Sequence, residues 1–316
     1  PRMNQSRTIT VAAGQTGLIW VNFNCRRMNA GIYKGAIRVT PLGEAAKMEN
    51  NIEYSGPAKD FPLVLEVLPI VLPMDNPEAS SWLMTSCETE DIYRAQAELG
   101  GRMIGVNPWS FRYTFNEKGE IISDVIIPEL IKRVKTQMEW QKKHAYTGGL
   151  KFFVHFSAYG VFERQFLNKK ITIGSPEWEN AWKNNLLAIA ANFAELGLSG
   201  DEWGIEILDE PNGKNLARDL QVCKIARETL PEIFLSVTWA AANFGHTPVT
   251  IRQFIPYLND HCFWHGHIRN PAYQVLANEI RELGHHYSFY ACSTSMRENL
   301  YRYFRLHAWK GFEFEI

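Results

Sequence analysis

The chain has 316 residues, 46% hydrophobic and 21% charged, which is ample apolar material for one large domain or two. Its formal charge is −1 and no basic block stands out, so the phosphate-neutralising surface that a nucleic-acid partner demands is missing. No run of about 18 apolar residues occurs, which excludes a membrane-spanning helix.

The sequence begins at Pro1 inside strand-like sequence and stops at Ile316 inside another such stretch. It reads as a fragment truncated at both ends, so the absence of a signal peptide says nothing about secretion. Residues 1–73 read as β: the runs at 8–11, 17–23, 35–40 and 63–68 are rich in β-branched and aromatic residues and are separated by turn residues, the close spacing of a small β-sandwich. Pro69 and Pro73 bracket Ile70, Val71 and Leu72. Proline removes a ladder donor, so this is where the chain leaves the sheet, and the boundary falls near Met74.

From 74 to 316 strand-like and helix-like stretches alternate. Apolar runs at 82–85, 102–106, 150–156, 204–208, 233–239, 261–265, 287–292 and 312–316 are separated by helical segments. The clearest helical pattern is 124–144, where Ile127, Leu130, Ile131, Val134 and Met138 share a face, Asp124 is the expected N-cap and Pro128 falls near the first turn. Others are expected at 176–196, 215–230, 271–283 and 297–307, three of them followed by Gly197, Gly284 and Gly311 where a left-handed cap wants glycine. The pattern predicts an α/β fold, a (β/α)₈ TIM barrel of about 250 residues whose last helix is missing. A doubly wound sheet announces a Gly-rich phosphate loop after its first strand, and Ser86-Cys87-Glu88-Thr89 is no such loop.

Barrel enzymes carry their chemistry at the C-terminal ends of the strands. The fourth run ends in Leu208-Asp209-Glu210-Pro211. Strict alternation puts Glu206, Leu208 and Glu210 on one face, so Glu210 points into the barrel mouth and Asp209 joins it only if the strand is already turning. Two neighbouring carboxylates repel, and one then titrates high, as a general acid requires. The seventh run, Tyr287 to Ser293, offers no carboxylate where a second acid often stands. A mechanism that borrows its nucleophile from the 2-acetamido group of the substrate needs only an acid and a neighbouring carboxylate, which an Asp-Glu pair supplies.

Leu208-Asp209-Glu210-Pro211, the feed-in Leu63-Val-Leu-Glu-Val-Leu-Pro-Ile-Val-Leu-Pro73 and the tail Tyr303-Phe-Arg-Leu-His-Ala-Trp309 resemble glycoside hydrolase family 123 and its barrel relatives. The resemblance implies a sandwich before a barrel, activity on β-linked N-acetylgalactosamine without a cofactor, Glu210 as acid/base, Asp209 as the carboxylate that orients the acetamido group, and secretion or a periplasmic location. The last strand, Gly311-Phe-Glu-Phe-Glu-Ile316, lacks the terminal aromatic the pattern calls for.

Strand ends nominate further substrate contacts. Trp109, Trp239 and Trp264 read equally as walls of a sugar subsite or as core. Asn107, His155 and Tyr159 are candidates for hydrogen bonds to sugar, and Tyr290 for a donor to the acetamido oxygen. His265 and His267 share one side of a strand, but no third ligand accompanies them, so no metal is expected. The five cysteines form no C-x-x-C pair and read as buried free thiols. The expected partner is a glycan or glycoconjugate. Two other readings stay open: a conventional two-carboxylate glycosidase with Glu88, Glu313 or Glu315 as the partner, and a barrel that binds glycan without cleaving it.

Overall fold

The structure is a computed structural model. It describes residues 11–12, 14–15, 21, 23, 25, 28–41, 57–69, 89–97, 103–126, 128–144, 149–166, 171–240, 245–267 and 269–290. The chain divides into two units, Pro1–Pro73 and Met74–Ile316.

In the first unit, β1 (Gly31–Val39) and β2 (Lys59–Val67) pair antiparallel, from Gly31 opposite Val67 to Val39 opposite Lys59. Arg38 clasps Asp60 across the pair through two hydrogen bonds of 2.7 Å, Nε to Oδ1 and Nη2 to Oδ2. The described part of this unit forms this two-stranded sheet. The runs at 8–11 and 17–23 fall mostly outside the described residues.

The second unit runs α1 (Glu90–Ala97), β3 (Ile104–Val106), β4 (Phe111–Phe115), β5 (Ile121–Ile126), α2 (Pro128–Lys143), β6 (Phe152–Val154), α3 (Ala158–Phe166), α4 (Pro176–Glu195), β7 (Trp203–Asp209), α5 (Leu216–Thr229), β8 (Phe234–Trp239), α6 (Pro248–Ile251), β9 (Asp260–Trp264), α7 (Pro271–Glu282) and β10 (His286–Tyr290). Six of the strands form one sheet in the order β3-β6-β7-β8-β9-β10, and every pair in it is parallel. The order follows the chain without the reversal that marks a doubly wound sheet, so the fold is a barrel-like α/β arrangement. The expected strands at 82–85 and 312–316 and the helix at 297–307 lie outside the described residues.

One helix starts later than its pattern suggests. Residues 121–126 are not helix with Asp124 as the cap; they are β5, paired antiparallel with β4. Two local forces decide this. Phe111-Arg-Tyr-Thr-Phe115 alternates buried and exposed side chains, as a half-buried strand does. Asn116 Oδ1 accepts the Lys118 and Glu120 N–H groups, both at 2.9 Å, and pins the turn that brings β5 back. Proline disfavours helical backbone in the residue before it, so α2 begins at Pro128 itself.

The sheet presents two unlike faces. One packs against helices: Trp203 stacks on Phe193 of α4 at 4.5 Å between centroids, Trp239 meets Phe254, and Phe263 meets Tyr273 of α7. Within that layer Trp182 Nε1 donates to the Val222 carbonyl at 3.2 Å. The opposite, inner face starts with Phe153 edge-on to Phe234 and then turns polar, carrying Glu206, Ser236, Thr238, Asp260 and Ser288.

The β4–β5 turn docks on α4. Asn184 Nδ2 donates to the Gly119 carbonyl and Asn180 Nδ2 to that of Lys118, each at 2.8 Å. Gly119 has φ +77°, and a Cβ there would stand 2.3 Å from the Glu177 carbonyl oxygen and 2.6 Å from Ala181 N. Gly197, at the end of α4, has φ +80° but open space around the same position. Gly119→Ala should therefore destabilise the fold by about 3 kcal/mol, strain and overlap together, and Gly197→Ala by about 1 kcal/mol, strain alone. Thermal unfolding of the two variants measures the difference; equal losses would show that the turn does not depend on contact with α4.

Candidate active site

The C-terminal end of β7 departs from strict alternation. Glu206 pairs with Ser236 of β8, but Leu208 pairs with Val237 and Asp209 with Thr238, so Ile207 is an inserted residue, a β-bulge. The insertion turns the strand over by one position. Leu208 joins Ile205 and Val237 in the helix-side core, while Asp209 joins Glu206 on the inner face. The expected grouping of Glu206, Leu208 and Glu210 on one face is thus corrected: Asp209 reaches the inner face because of the bulge. Glu210 follows with φ +47°, its N–H still laddered to the Thr238 carbonyl at 2.9 Å.

Glu206 is the buried centre of this end, 3% exposed, and the sequence reading did not nominate it. Its Oε2 accepts the backbone N–H groups of Phe156 at 2.5 Å and Ser157 at 3.2 Å, and its Oε1 accepts the Thr238 hydroxyl. Ser157 also donates its hydroxyl to the carbonyl of Ile207, the bulge residue, at 3.4 Å and caps α3 by accepting the Gly160 N–H at 2.9 Å. Phe156 and Ser157 have φ of +66° and +55°. With Glu210 they are the positive-φ residues other than glycine among the described residues, and all three stand at the ends of the adjacent strands β6 and β7. Each such conformation costs about 1–3 kcal/mol, and strain of this kind persists only where the surroundings enforce it.

Across the sheet, the Tyr290 hydroxyl at the end of β10 donates to Glu210 Oε1. In a flat sheet the lines of β7 and β10, three strands apart, would be separated by about 14 Å. The contact requires the sheet to curl toward its inner face, which gathers the strand ends. Trp264, opposite Tyr290 in register, lies at the same end; a Cβ at Gly266 would stand 1.7 Å from its ring, so glycine is required there for the chain to cover the indole. His155, 6% exposed, packs its ring 4.1 Å from that of Phe156.

The other nominated residues take different places. Tyr159 is 2% exposed, donates to Glu163 Oε1 at 3.2 Å and packs against Trp178 and Trp182: α3 has already begun, so the helix directs the side chain into the helix layer. Trp239, 1% exposed, lies on the helix face with Phe254 and His246, because Thr238 takes the inner face. Asn107 caps the turn Pro108–Ser110 by accepting the Trp109 N–H at 2.9 Å. Trp109 is 39% exposed, with the Arg164 guanidinium 5.7 Å from its ring centre. His267 Nε2 lies 3.0 Å from the Ala240 carbonyl and its ring stacks on Tyr273. Among the described residues no three His, Cys, Asp or Glu side chains form a metal-binding group. Glu88, Glu313 and Glu315 lie outside the described residues.

Burial first, and the Asp209 charge second, push the Glu206 carboxyl up to about 8. Burial, then the neighbouring Glu210, also raises Asp209 above the ordinary carboxylate range. Burial alone pushes His155 down to about 4, so it is neutral at neutral pH. For Glu206 the linkage is direct. Between its ordinary value of 4.5 and about 8, the folded protein keeps a proton that the unfolded chain has released. Its stability contribution is whole below 4.5 and declines as pH rises through that window. Glu206→Gln cannot ionise, so its stability, read from thermal melts, should gain on wild type across the window by on the order of 1 kcal/mol per pH unit. Parallel melting curves from pH 4.5 to 8 would show instead that Glu206 is charged in the fold.

No family model and no curated protein matches the chain, so the resemblance to glycoside hydrolase family 123 gains no support there. Among solved structures it is similar to the crystal structure of Bacteroides thetaiotamicron EndoBT-3987 with Man5GlcNAc product, at a TM-score of 0.29 and 10% identity, over 64% of this chain and 52% of that one. The alignment thus spans about half the length of that protein. Among the described residues no helix is long and apolar enough to cross a membrane.

Proposed function

We propose that the protein is a glycoside hydrolase that cleaves β-linked N-acetylhexosamine, N-acetylgalactosamine by the family resemblance, through substrate-assisted catalysis with retention. The observation that carries this reading is the pair Asp209 and Glu210 at the C-terminal end of β7, with Asp209 re-aimed onto the inner face by the bulge and Glu210 held by Tyr290. In this reading the parallel sheet continues into a closed (β/α)₈ barrel, completed by the stretches at 82–85 and 312–316 and preceded in the chain by a β-sandwich formed from residues 1–73.

The roles follow from charge. The substrate's acetamido oxygen attacks its own anomeric carbon, and the glycosidic C–O bond breaks as Glu210 passes its proton to the leaving oxygen. Positive charge develops on the acetamido nitrogen as the oxazolinium ring closes, and the Asp209 carboxylate beside that N–H stabilises it as it forms. Water then opens the ring, Glu210 takes up the water's proton, and the configuration is retained. Tyr290 orients Glu210, and Trp264 and Trp109 offer aromatic surface to a sugar. No cofactor takes part.

Hydrolysis of 4-nitrophenyl N-acetyl-β-galactosaminide but not of the plain β-galactoside is the expected result. Turnover of both would favour a two-carboxylate mechanism, and binding without turnover a glycan-binding barrel. Glu210→Gln should abolish most activity on alkyl glycosides and spare aryl glycosides with acidic phenols, which need little protonation; equal loss on both would remove Glu210 from the acid role. Asp209→Asn keeps the size and removes the charge, so kcat should fall by about 10²- to 10³-fold with a much smaller change in KM. A thiazoline analogue of the cyclised sugar should inhibit wild type strongly and this variant weakly. An unchanged turnover number together with indifference to the thiazoline would sink the substrate-assisted mechanism.

A further inference from the structure

Glu206 is absent from the two-residue mechanism above, yet it is the most enclosed acid of that end of the sheet. Three hydrogen bonds converge on its carboxyl from two neighbouring segments: the Phe156 and Ser157 N–H groups after β6 and the Thr238 hydroxyl on β8. The residues that supply the first two are strained, and Ser157 reaches on to the carbonyl of Ile207. Ile207 is the insertion that places Asp209 on the face of Glu206. Loop, bulge and carboxylate pair are therefore joined through one side chain.

We propose that Glu206 is a positioning residue of the active site: its carboxyl clamps the strained Phe156–Ser157 loop against the β7 bulge and forms the polar floor that holds Asp209 in place. The proposal rests on the reading of Asp209 and Glu210 as the catalytic pair. The titratable groups on the same face are Asp209 on β7 with Glu210 after it, His155 after β6, Cys262 and Asp260 on β9, and His286 and Tyr290 on β10. None of these is an arginine or lysine, and burial disfavours charge on both His155 and Cys262. A neutral carboxyl fits this setting: its Oε2 accepts both loop N–H groups and its Oε1 accepts the Thr238 hydroxyl. It then leaves the negative charge to Asp209. Glutamine has the same shape, keeps an acceptor for both loop N–H groups and turns an amide donor to the Thr238 oxygen, which can accept it; alanine offers neither.

Two measurements on the full chain test this. The first needs no substrate: amide hydrogen exchange at Phe156 and Ser157. Wild type and Glu206→Gln should protect these amides, and Glu206→Ala should speed their exchange at least about 10-fold relative to the β7 amides. Where Glu206→Ala does not fold, Thr238→Val takes its place, with a smaller acceleration expected at the same two amides. The second is kinetics on 4-nitrophenyl N-acetyl-β-galactosaminide. Alanine at 206 should lower kcat by about 10²-fold with KM within about 3-fold, as displacement of a catalytic group by about 1 Å does, and glutamine should restore kcat to within about 10-fold of wild type. Unchanged exchange in the alanine and Thr238→Val variants would overturn the proposal. So would equal loss of kcat in the alanine and glutamine variants, because shape and hydrogen bonding would then not be what matters. An inactive wild type with the expected exchange pattern would count against the glycosidase reading and uphold the clamp.

Discussion

A carboxyl group taken out of water must be given donors, a proton, or both, because the unpaired charged form costs far too much in a dry interior. Glu206 is in that position, and the way its needs are met shapes the whole C-terminal end of the sheet. The loop after β6 adopts two consecutive left-handed residues and thereby points two N–H groups at the carboxyl. Thr238 is kept on the inner face to supply the third donor, which sends Trp239 to the helix side. The bulge at Ile207 then restores Asp209 to the face that strict alternation would have denied it.

The rest of the inner face shows the same economy. Asp260, one row below Glu206 and Thr238, is also buried, and it accepts the Ser236 hydroxyl at 2.7 Å and the Ser288 hydroxyl at 2.9 Å. Its carboxyl, like that of Glu206, is raised chiefly by burial. Parallel pairing makes these contacts possible. Register sets Ser236 beside Asp260 and Thr238 beside Cys262, and it carries Ser288 in beside Cys262 from the other side. An apolar layer at one end, Phe153 against Phe234, supports the polar layers above it. Helices seal the other face with aromatic contacts, so the strands are free to devote one side to polar chemistry.

Curvature of the sheet completes the arrangement. Tyr290 and Glu210 come from strand ends separated by two intervening strands, and their contact exists only because the sheet bends toward its inner side. A single hydroxyl thus links the ends of β7 and β10.

Much of the organisation was legible in the chain itself. The six described strands of the parallel sheet fall on runs recognisable by length and apolar content, and Gly197 and Gly284 take the left-handed φ that their places after α4 and α7 suggested. These features are local: composition, period and end signals are written in consecutive residues. The β4–β5 hairpin had a local signal too, the alternation of Phe111 to Phe115 before Asn116 and Gly119, which the stronger helical pattern beginning at Ile127 obscured. The Asp-Glu pair was visible at a strand end, but its geometry was not. A bulge is a mismatch between two strands, so no pattern within β7 alone reveals that Ile207 is the extra residue. Proximity to strand ends nominates Tyr159 for the mouth and leaves Trp239 open between mouth and core; the onset of α3 and the demand of Glu206 for Thr238 place both in the helix layer. Glu206 itself looked like one more alternating position. Only the tertiary structure, by burying it and bringing two backbone N–H groups from a neighbouring segment, made it the residue around which the site is built.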